Sequence, residues 1–72
     1  MSNEPLKVHL KVQRAMRDLT QADLAALSGT TRKSINAIEM GRMVPSTLLA
    51  LKLARALNVS VETLFALGEV ED

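Results

Sequence analysis

Three polar side chains at helical spacing have the chemistry to read the edges of DNA bases. Arg32 and Asn36 are four residues apart and Lys33 lies beside Arg32, so a helix would present all three away from its apolar side. In the major groove, Arg and Lys match guanine O6 and N7, whereas Asn matches adenine. We predict that these side chains contact bases or phosphates of duplex DNA. The alternative is an ordinary solvated helix face.

A first predicted helix precedes this face and would support it. Thr20 is followed three residues later by Asp23, a pattern that caps a helix over residues 21–27. Leu24 and Leu27 are expected to point inward from this helix, toward the core.

A glycine turn would join that helix to a second one. Gly29 supplies the positive φ of a helix end, and Thr31 would cap a helix over residues 32–40. Ile35 and Ile38 are three residues apart and are expected to face the core. Two short helices joined in this way predict a helix-turn-helix unit, whose second helix enters the major groove.

Four further polar residues around this unit are candidates for phosphate contacts. Gln21 begins the first helix of the helix-turn-helix unit, where free backbone N–H groups favour an anion. Thr31 and Ser34 are a cap and a first-turn residue that could also reach a phosphate, and Arg42 is a cation in the loop after the second helix. Phosphate contacts fix the register of a protein on DNA, whereas base contacts specify sequence.

The beginning and the end of the chain predict a small antiparallel ribbon. Residues 1–5 are expected to form a loose start, and the alternation in Leu6–Val8 is typical of a strand. A helix would follow, to about Arg17. Residues 66–70 are expected to pair with the Leu6–Val8 arm.

Two more predicted helices complete the chain. Ser46 would cap the fourth helix, Asn58 would end it, and Ser60 would cap a fifth over residues 61–65. The core-facing stripe of the fourth helix is Ala50, Leu53, Ala54 and Leu57. These elements predict an all-α, five-helix domain over residues 1–72.

Composition excludes several classes of protein. The 72 residues are 47% hydrophobic, with one phenylalanine and no cysteine. A core of this size rarely contributes more than about 3–5 kcal/mol of net stability, so we expect dimerisation to add to it. Disulfides and thiolate metal sites are excluded, and the single histidine, His9, lacks the partners of a zinc site. No apolar run reaches the roughly 18 residues of a membrane span, so we expect a cytoplasmic protein.

The net charge of +1 hides an uneven distribution. Residues 1–55 carry all nine basic residues against four acidic ones, a balance of +5, and the remaining residues carry four acidic ones, a balance of −4. A basic body followed by an acidic tail over residues 66–72 predicts one surface for a polyanion and another turned away from it.

A second candidate surface is apolar. Several apolar residues lie outside the main stripe of the fourth helix, and two more stand near the end of the chain. They are either additional core or a patch that buries against a second copy, and we favour the patch. These residues are Met43, Val44, Leu48, Leu51, Leu67 and Val70.

Several spaced motifs together carry a family resemblance. They are Arg14, Leu19-Thr20-Gln21-Ala22-Asp23-Leu24-Ala25, Gly29, Ser34-Ile35-Asn36-Ala37-Ile38-Glu39-Met40-Gly41-Arg42, Pro45-Ser46, Leu53-Ala54 and Ala56-Leu57-Asn58-Val59-Ser60-Val61-Glu62-Thr63-Leu64-Phe65. From about residue 10 to residue 65 the chain resembles the Cro/phage-repressor (XRE) helix-turn-helix superfamily, and this resemblance implies a lambda-repressor-like fold.

The resemblance implies roles for individual residues. Gln21 and Arg42 would contact the DNA backbone, and an ion pair between Arg14 and Glu39 would join the first helix to the third. Ala37 stands where the family often has a polar base-reading residue, so it would offer only a methyl contact to thymine. Ser28, Thr30 and Met40 also depart from the family pattern.

These observations predict a transcriptional regulator. We expect a repressor that binds a palindromic DNA operator as a homodimer, with the Arg32–Met40 helix in the major groove. Two alternatives use the same fold: an antitoxin or other interaction subunit with a protein partner such as a toxin, and a restriction–modification controller protein. The chain contains no recognisable catalytic set or cofactor motif, so we expect neither an enzyme nor a cofactor.

Overall fold

Five helices and a two-stranded antiparallel sheet make up the computed structural model, which describes residues 5–68. The elements are β1 (Leu6–Val8), α1 (Leu10–Ala15), α2 (Gln21–Ser28), α3 (Arg32–Glu39), α4 (Thr47–Leu57), α5 (Val61–Leu64) and β2 (Phe65–Leu67). This architecture confirms the predicted helical fold and the presence of its ribbon, but the second strand begins at Phe65 and ends at Leu67 rather than covering residues 66–70, of which 69–70 lie outside the described residues. Within residues 5–68, no helix has the length and apolar character that crossing a membrane requires.

Side-chain caps explain where four of the helices begin. Thr20, Thr31, Ser46 and Ser60 each accept a hydrogen bond from the backbone N–H three residues later, as predicted. Thr20 also receives the reciprocal bond, because its own N–H donates to the Asp23 carboxylate at 2.9 Å.

The core lies where α2, α3 and α4 meet. Seven side chains are at most 1% exposed: Leu10, Leu24, Ile35, Ile38, Leu53, Leu57 and Leu64. Helix α2 packs against both α3 and α4, so the helix-turn-helix unit is fixed to the core along its inner side. The predicted core positions of α3 and α4 are confirmed.

The predicted inward direction of Leu27 is wrong. Leu27 is 61% exposed, and the buried face of α2 consists of Leu24, Ala25 and Ser28. At about 100° per residue, the centre of that face lies roughly 100° from Leu27. A polar residue can occupy this face because the Ser28 hydroxyl donates to the Leu24 carbonyl at 2.7 Å.

Several predicted boundaries move by one or two residues. Helix α1 ends at Ala15 rather than near Arg17, and α3 ends at Glu39 with Met40 as its cap. Helix α5 ends at Leu64, because Phe65 already has the extended backbone angles of β2.

Strand pairing gives the ribbon two different faces. Leu6 pairs with Leu67, and Val8 pairs with Phe65. Residues directly opposite in an antiparallel sheet share a face, so all four apolar side chains lie together. Val8 and Phe65 pack against the core, whereas Leu67 is 70% exposed.

The ribbon also brings the two ends of the described chain together. The Gly68 N–H donates to the Pro5 carbonyl at 2.6 Å. A β-carbon on Gly68 would lie 2.5 Å from Pro5 Cγ and 2.9 Å from its carbonyl oxygen, so this close approach requires glycine.

Candidate nucleic-acid interface

Helix α3 has a fully buried side and an exposed polar side. Ile35 and Ile38 are 0% exposed. Arg32, Lys33 and Asn36 are exposed on the rest of the helix surface. The structure therefore brings the three sequence-predicted base-reading residues together on the accessible side of one short helix.

The N-terminus of α3 is held by two hydroxyl groups. Thr31 Oγ1 accepts from the Ser34 N–H at 3.1 Å and donates to Ser34 Oγ at 3.0 Å. Thr31 is exposed and Ser34 is half-buried. These contacts fix the backbone of the first turn, which carries Arg32 and Lys33.

Asn36 and Gln21 form a contact between α2 and α3 that sequence reasoning missed. Gln21 Nε2 donates to Asn36 Oδ1 at 3.2 Å and to Glu39 Oε1 at 3.0 Å. Both amide hydrogens of Gln21 are thereby used, and the amide of Asn36 is oriented by its neighbour. Polar residue types at both positions were the only signal in the sequence.

Arg14 and Glu39 extend this network to α1. Arg14 Nε donates to Glu39 Oε2 at 2.7 Å and Nη2 donates to Oε1 at 3.1 Å, which makes the pair bidentate. Arg14 Nη1 also donates to the Leu19 carbonyl at 2.7 Å. The two side chains are 13% and 3% exposed, so the pair is largely shielded from water.

The charge state of Glu39 follows from its neighbours. Burial acts to raise the pKa of the Glu39 carboxyl, but hydrogen bonds from Arg14 and Gln21 outweigh it. The positive charges of Arg14 and Lys11 act in the same direction, and the net result is a lowered pKa. Glu39 is therefore a carboxylate that accepts hydrogen bonds from two other helices.

The remaining predicted contact residues flank this face. Ala37 is half-buried, and its carbonyl accepts from the N–H groups of Arg42 at 2.8 Å and Met43 at 3.2 Å. These bonds fold the loop back onto α3 and hold the exposed Arg42 close to its C-terminal end.

One exposed residue on this face and one beside the helix-turn-helix turn were not among the predicted contacts. Met40 is 60% exposed and follows Lys33 and Asn36 at spacings of seven and four residues, so all three share a stripe of α3. Lys52, on α4, lines a depression together with Gly29 and Thr30 of the helix-turn-helix turn. The helical spacing was a usable signal for Met40, whereas the position of Lys52 depends on tertiary packing.

A separate apolar surface lies on α4, the loop before it and the ribbon. Val44, Leu48, Leu51 and Leu67 are 74%, 62%, 55% and 70% exposed. We call these four residues the apolar surface. Met43 differs from the prediction, because it is half-buried and packs against the core. Val70 lies outside the described residues.

An open groove adjoins the apolar surface. It has a volume of about 430 Å³, and its lining includes Leu6, Val44, Leu51 and Phe65, with Glu62 as its charged member. Leu51 lines both this groove and a neighbouring depression with Leu48, and Leu6 of the groove pairs with Leu67, so the exposed leucines border the groove.

Comparison with known proteins agrees with this geometry. The helix-turn-helix family model matches residues 10–64. An uncharacterized HTH-type transcriptional regulator from Methanocaldococcus jannaschii is 45% identical over 60 residues, which cover 83% of this chain and 91% of that protein. Another, from Bacillus subtilis, is 41% identical over 64 residues and covers 89% and 97%.

A solved structure is also similar. The restriction-modification controller protein C.AhdI from Aeromonas hydrophila superposes with a TM-score of 0.74 and is 34% identical. The match covers 76% of this chain and 83% of that one.

Proposed function

This chain belongs to the XRE-type helix-turn-helix family of DNA-binding transcriptional regulators, and on that premise we propose that it is a repressor that binds a palindromic operator as a homodimer. In this proposal α3 enters the major groove, and each protomer reads one half of the operator. Occupancy of promoter DNA by the dimer then excludes RNA polymerase.

The observation that carries the proposal is the outward side of α3. Arg32, Lys33 and Asn36 are exposed on a helix whose backbone is fixed by a cap, a partly buried ion pair and the Gln21 amide. Base reading depends on donors and acceptors held in defined directions. A merely solvated face has no need of this support.

Residues around the exposed side of α3 are the candidates for phosphate contacts. Both hydrogens of the Gln21 amide are engaged within the protein, so a phosphate beside α2 is expected to meet the backbone N–H groups at its N-terminus. Thr31, Ser34 and Arg42 are the other candidates. The logarithm of the binding constant should fall with the logarithm of salt concentration by about 0.9 per phosphate neutralised.

Dimerisation would double the number of bases read. One recognition helix covers only a few base pairs, and two helices related by a two-fold axis read half-sites about 34 Å apart. The exposed apolar surface on α4 and the ribbon supports a contact between two copies.

Selection of bound sequences from a random DNA pool tests this function. We expect a consensus with two-fold symmetry and half-sites about one helical turn apart. Selection with the Asn36→Ala variant should lose the preference at one position of each half-site, because a bidentate contact discriminates by roughly 1–3 kcal/mol. The Lys7→Ala variant, changed on β1, is the control and should return the wild-type consensus. A pool without enrichment, or an unaltered consensus with Asn36→Ala, would contradict the proposal.

The similarity to a restriction-modification controller protein favours a second candidate. A controller protein activates as well as represses, so transcription in vitro from a template that carries the selected operator separates the two. A transcript yield that only falls as protein is added supports a repressor, whereas a yield that first rises supports a controller. Stable co-purification with another protein would instead indicate an interaction subunit such as an antitoxin.

A further inference from the structure

Opposite charges border the apolar surface at two different places. Glu62, on α5, lines the groove that contains Val44 and Leu51. Lys52 and Arg55 line a neighbouring depression with Leu48 and Leu51. Leu51 belongs to both, so the region runs from an acidic end through an apolar centre to a basic end.

We propose that this region is a self-complementary dimer contact in which Glu62 of each protomer pairs with Lys52 and Arg55 of its partner. The inference rests on the proposed homodimer and adds its register. A two-fold axis near Leu51 brings the acidic end of one copy onto the basic end of the other, and it does so twice.

Charge complementarity favours a second copy as the occupant. In a two-fold contact the same patch appears on both sides, so it must supply its own complement. This region does so, because one carboxylate and two cations flank the same apolar centre.

Shape points in the same direction. The groove of about 430 Å³ is lined by Leu51 and Leu6, whose respective neighbours Leu48 and Leu67 are 62% and 70% exposed. A two-fold arrangement lets exposed side chains of one copy fill the groove of the other. The ribbon contributes as well, since Leu6 lines the groove and pairs with Leu67 across the sheet.

The pairing also has a consequence for partner choice. Charged groups at the border of an apolar contact set the register and disfavour like-charged partners. Two variants with reversed charges at opposite ends should therefore each associate poorly with themselves but well with one another.

A mixing experiment tests the register without DNA. We would prepare the E62K variant and the K52E/R55E variant and measure dimerisation by sedimentation equilibrium. Each variant alone should show a dimer dissociation constant raised about tenfold or more, because both symmetric contacts become repulsive. An equimolar mixture should form heterodimers with a dissociation constant near the wild-type value, since every contact in the mixed dimer is attractive.

A matched control separates local charge from net charge. The K7E/R17E variant carries the same change in net charge as K52E/R55E, on β1 and just after α1, and should dimerise like the wild type. Circular dichroism melts identify any variant that has lost its fold. If E62K has, the E62Q variant replaces it in the self-association measurement, where a weakened dimer is expected.

The outcomes distinguish the register from the function it rests on. The register would be overturned if both charge variants kept the wild-type dimer dissociation constant, or if their mixture did not form heterodimers near that value. Neither result would contradict the homodimer itself. A wild-type protein that stays monomeric at all concentrations would overturn both. Tight binding of anilinonaphthalene sulfonate by such a monomer would assign the groove to an apolar ligand.

Discussion

The exposed side of α3 and the apolar surface are built from similar helices but are supported in different ways. Behind α3 lies a polar network in which Arg14, Glu39 and Gln21 orient Asn36. Helix α4, which carries Leu48 and Leu51, buries only apolar side chains on its opposite side. Hydrogen bonds are directional and apolar burial is not, so a face that reads bases needs an oriented support that an association face can do without.

Removal of Glu39 should disable both regions together, because it destabilises the whole fold. Glu39→Ala leaves Arg14 shielded from water without its partner, which typically costs about 3–5 kcal/mol. That is comparable to the net stability of a core this small. We expect loss of helical circular dichroism at 25 °C.

The conservative change at the same position keeps this prediction informative. Glu39→Gln retains the shape and one acceptor, so it should melt at a temperature between those of the wild type and the alanine variant. If Glu39→Ala melts like the wild type, the network does not stabilise the fold.

A charge in the apolar surface should disable that region alone. Leu51→Glu places a carboxylate at the centre of the proposed contact between copies, and its desolvation costs about 2 kcal/mol or more even though Arg55 lies four residues later on α4. We expect a monomer by sedimentation, with unchanged helicity and weakened operator binding. Val12→Glu is the control, since Val12 is similarly exposed but lies on α1, away from Lys52, Arg55 and Glu62. Equal effects of the two changes would show that general exposure, not this surface, matters.

Loss of one cation on α3 should disable only the other region. Lys33→Ala is expected to weaken operator binding by about 1–3 kcal/mol, measured by fluorescence anisotropy on the selected sequence. The melting temperature and the dimer dissociation constant should not change, because Lys33 is exposed on α3. Operator affinity equal to that of the wild type would remove Lys33 from the contact face.

The smallest expected effect comes from exchanging one helix cap in each region. Thr31→Ala and Ser46→Ala each delete a cap bond and should lower the free energy of unfolding by about 1 kcal/mol. Only Thr31→Ala should also weaken operator binding, because Thr31 fixes the first turn of α3. Equal losses of DNA affinity in both variants would mean that stability alone accounts for them.

Local chemistry explains which parts of the fold were predictable. Caps such as Thr20 and Ser46 act on backbone groups three residues away, and Gly29 and Asn58 end α2 and α4 with φ of 70° and 56°. These effects need no knowledge of the tertiary structure. The spacing of Ile35 and Ile38 likewise separated the buried side of α3 from its exposed side.

Tertiary geometry explains the rest. Helix α2 is apolar around most of its circumference, so its pattern could not show that Ser28 lies inward and Leu27 outward. The contact of Gln21 with Asn36 joins residues fifteen apart and depends on how α2 and α3 cross. The extent of β2 depended on long-range pairing with β1, which the sequence indicated only by alternation.

The hydrogen bond between Gly68 and Pro5 holds the two ends of the described residues together. A short peptide that links residue 68 to residue 5 would give a cyclic backbone. Such cyclisation restricts the unfolded chain far more than the folded one, so heat resistance would rise while the contacts of α3 with DNA stay as they are.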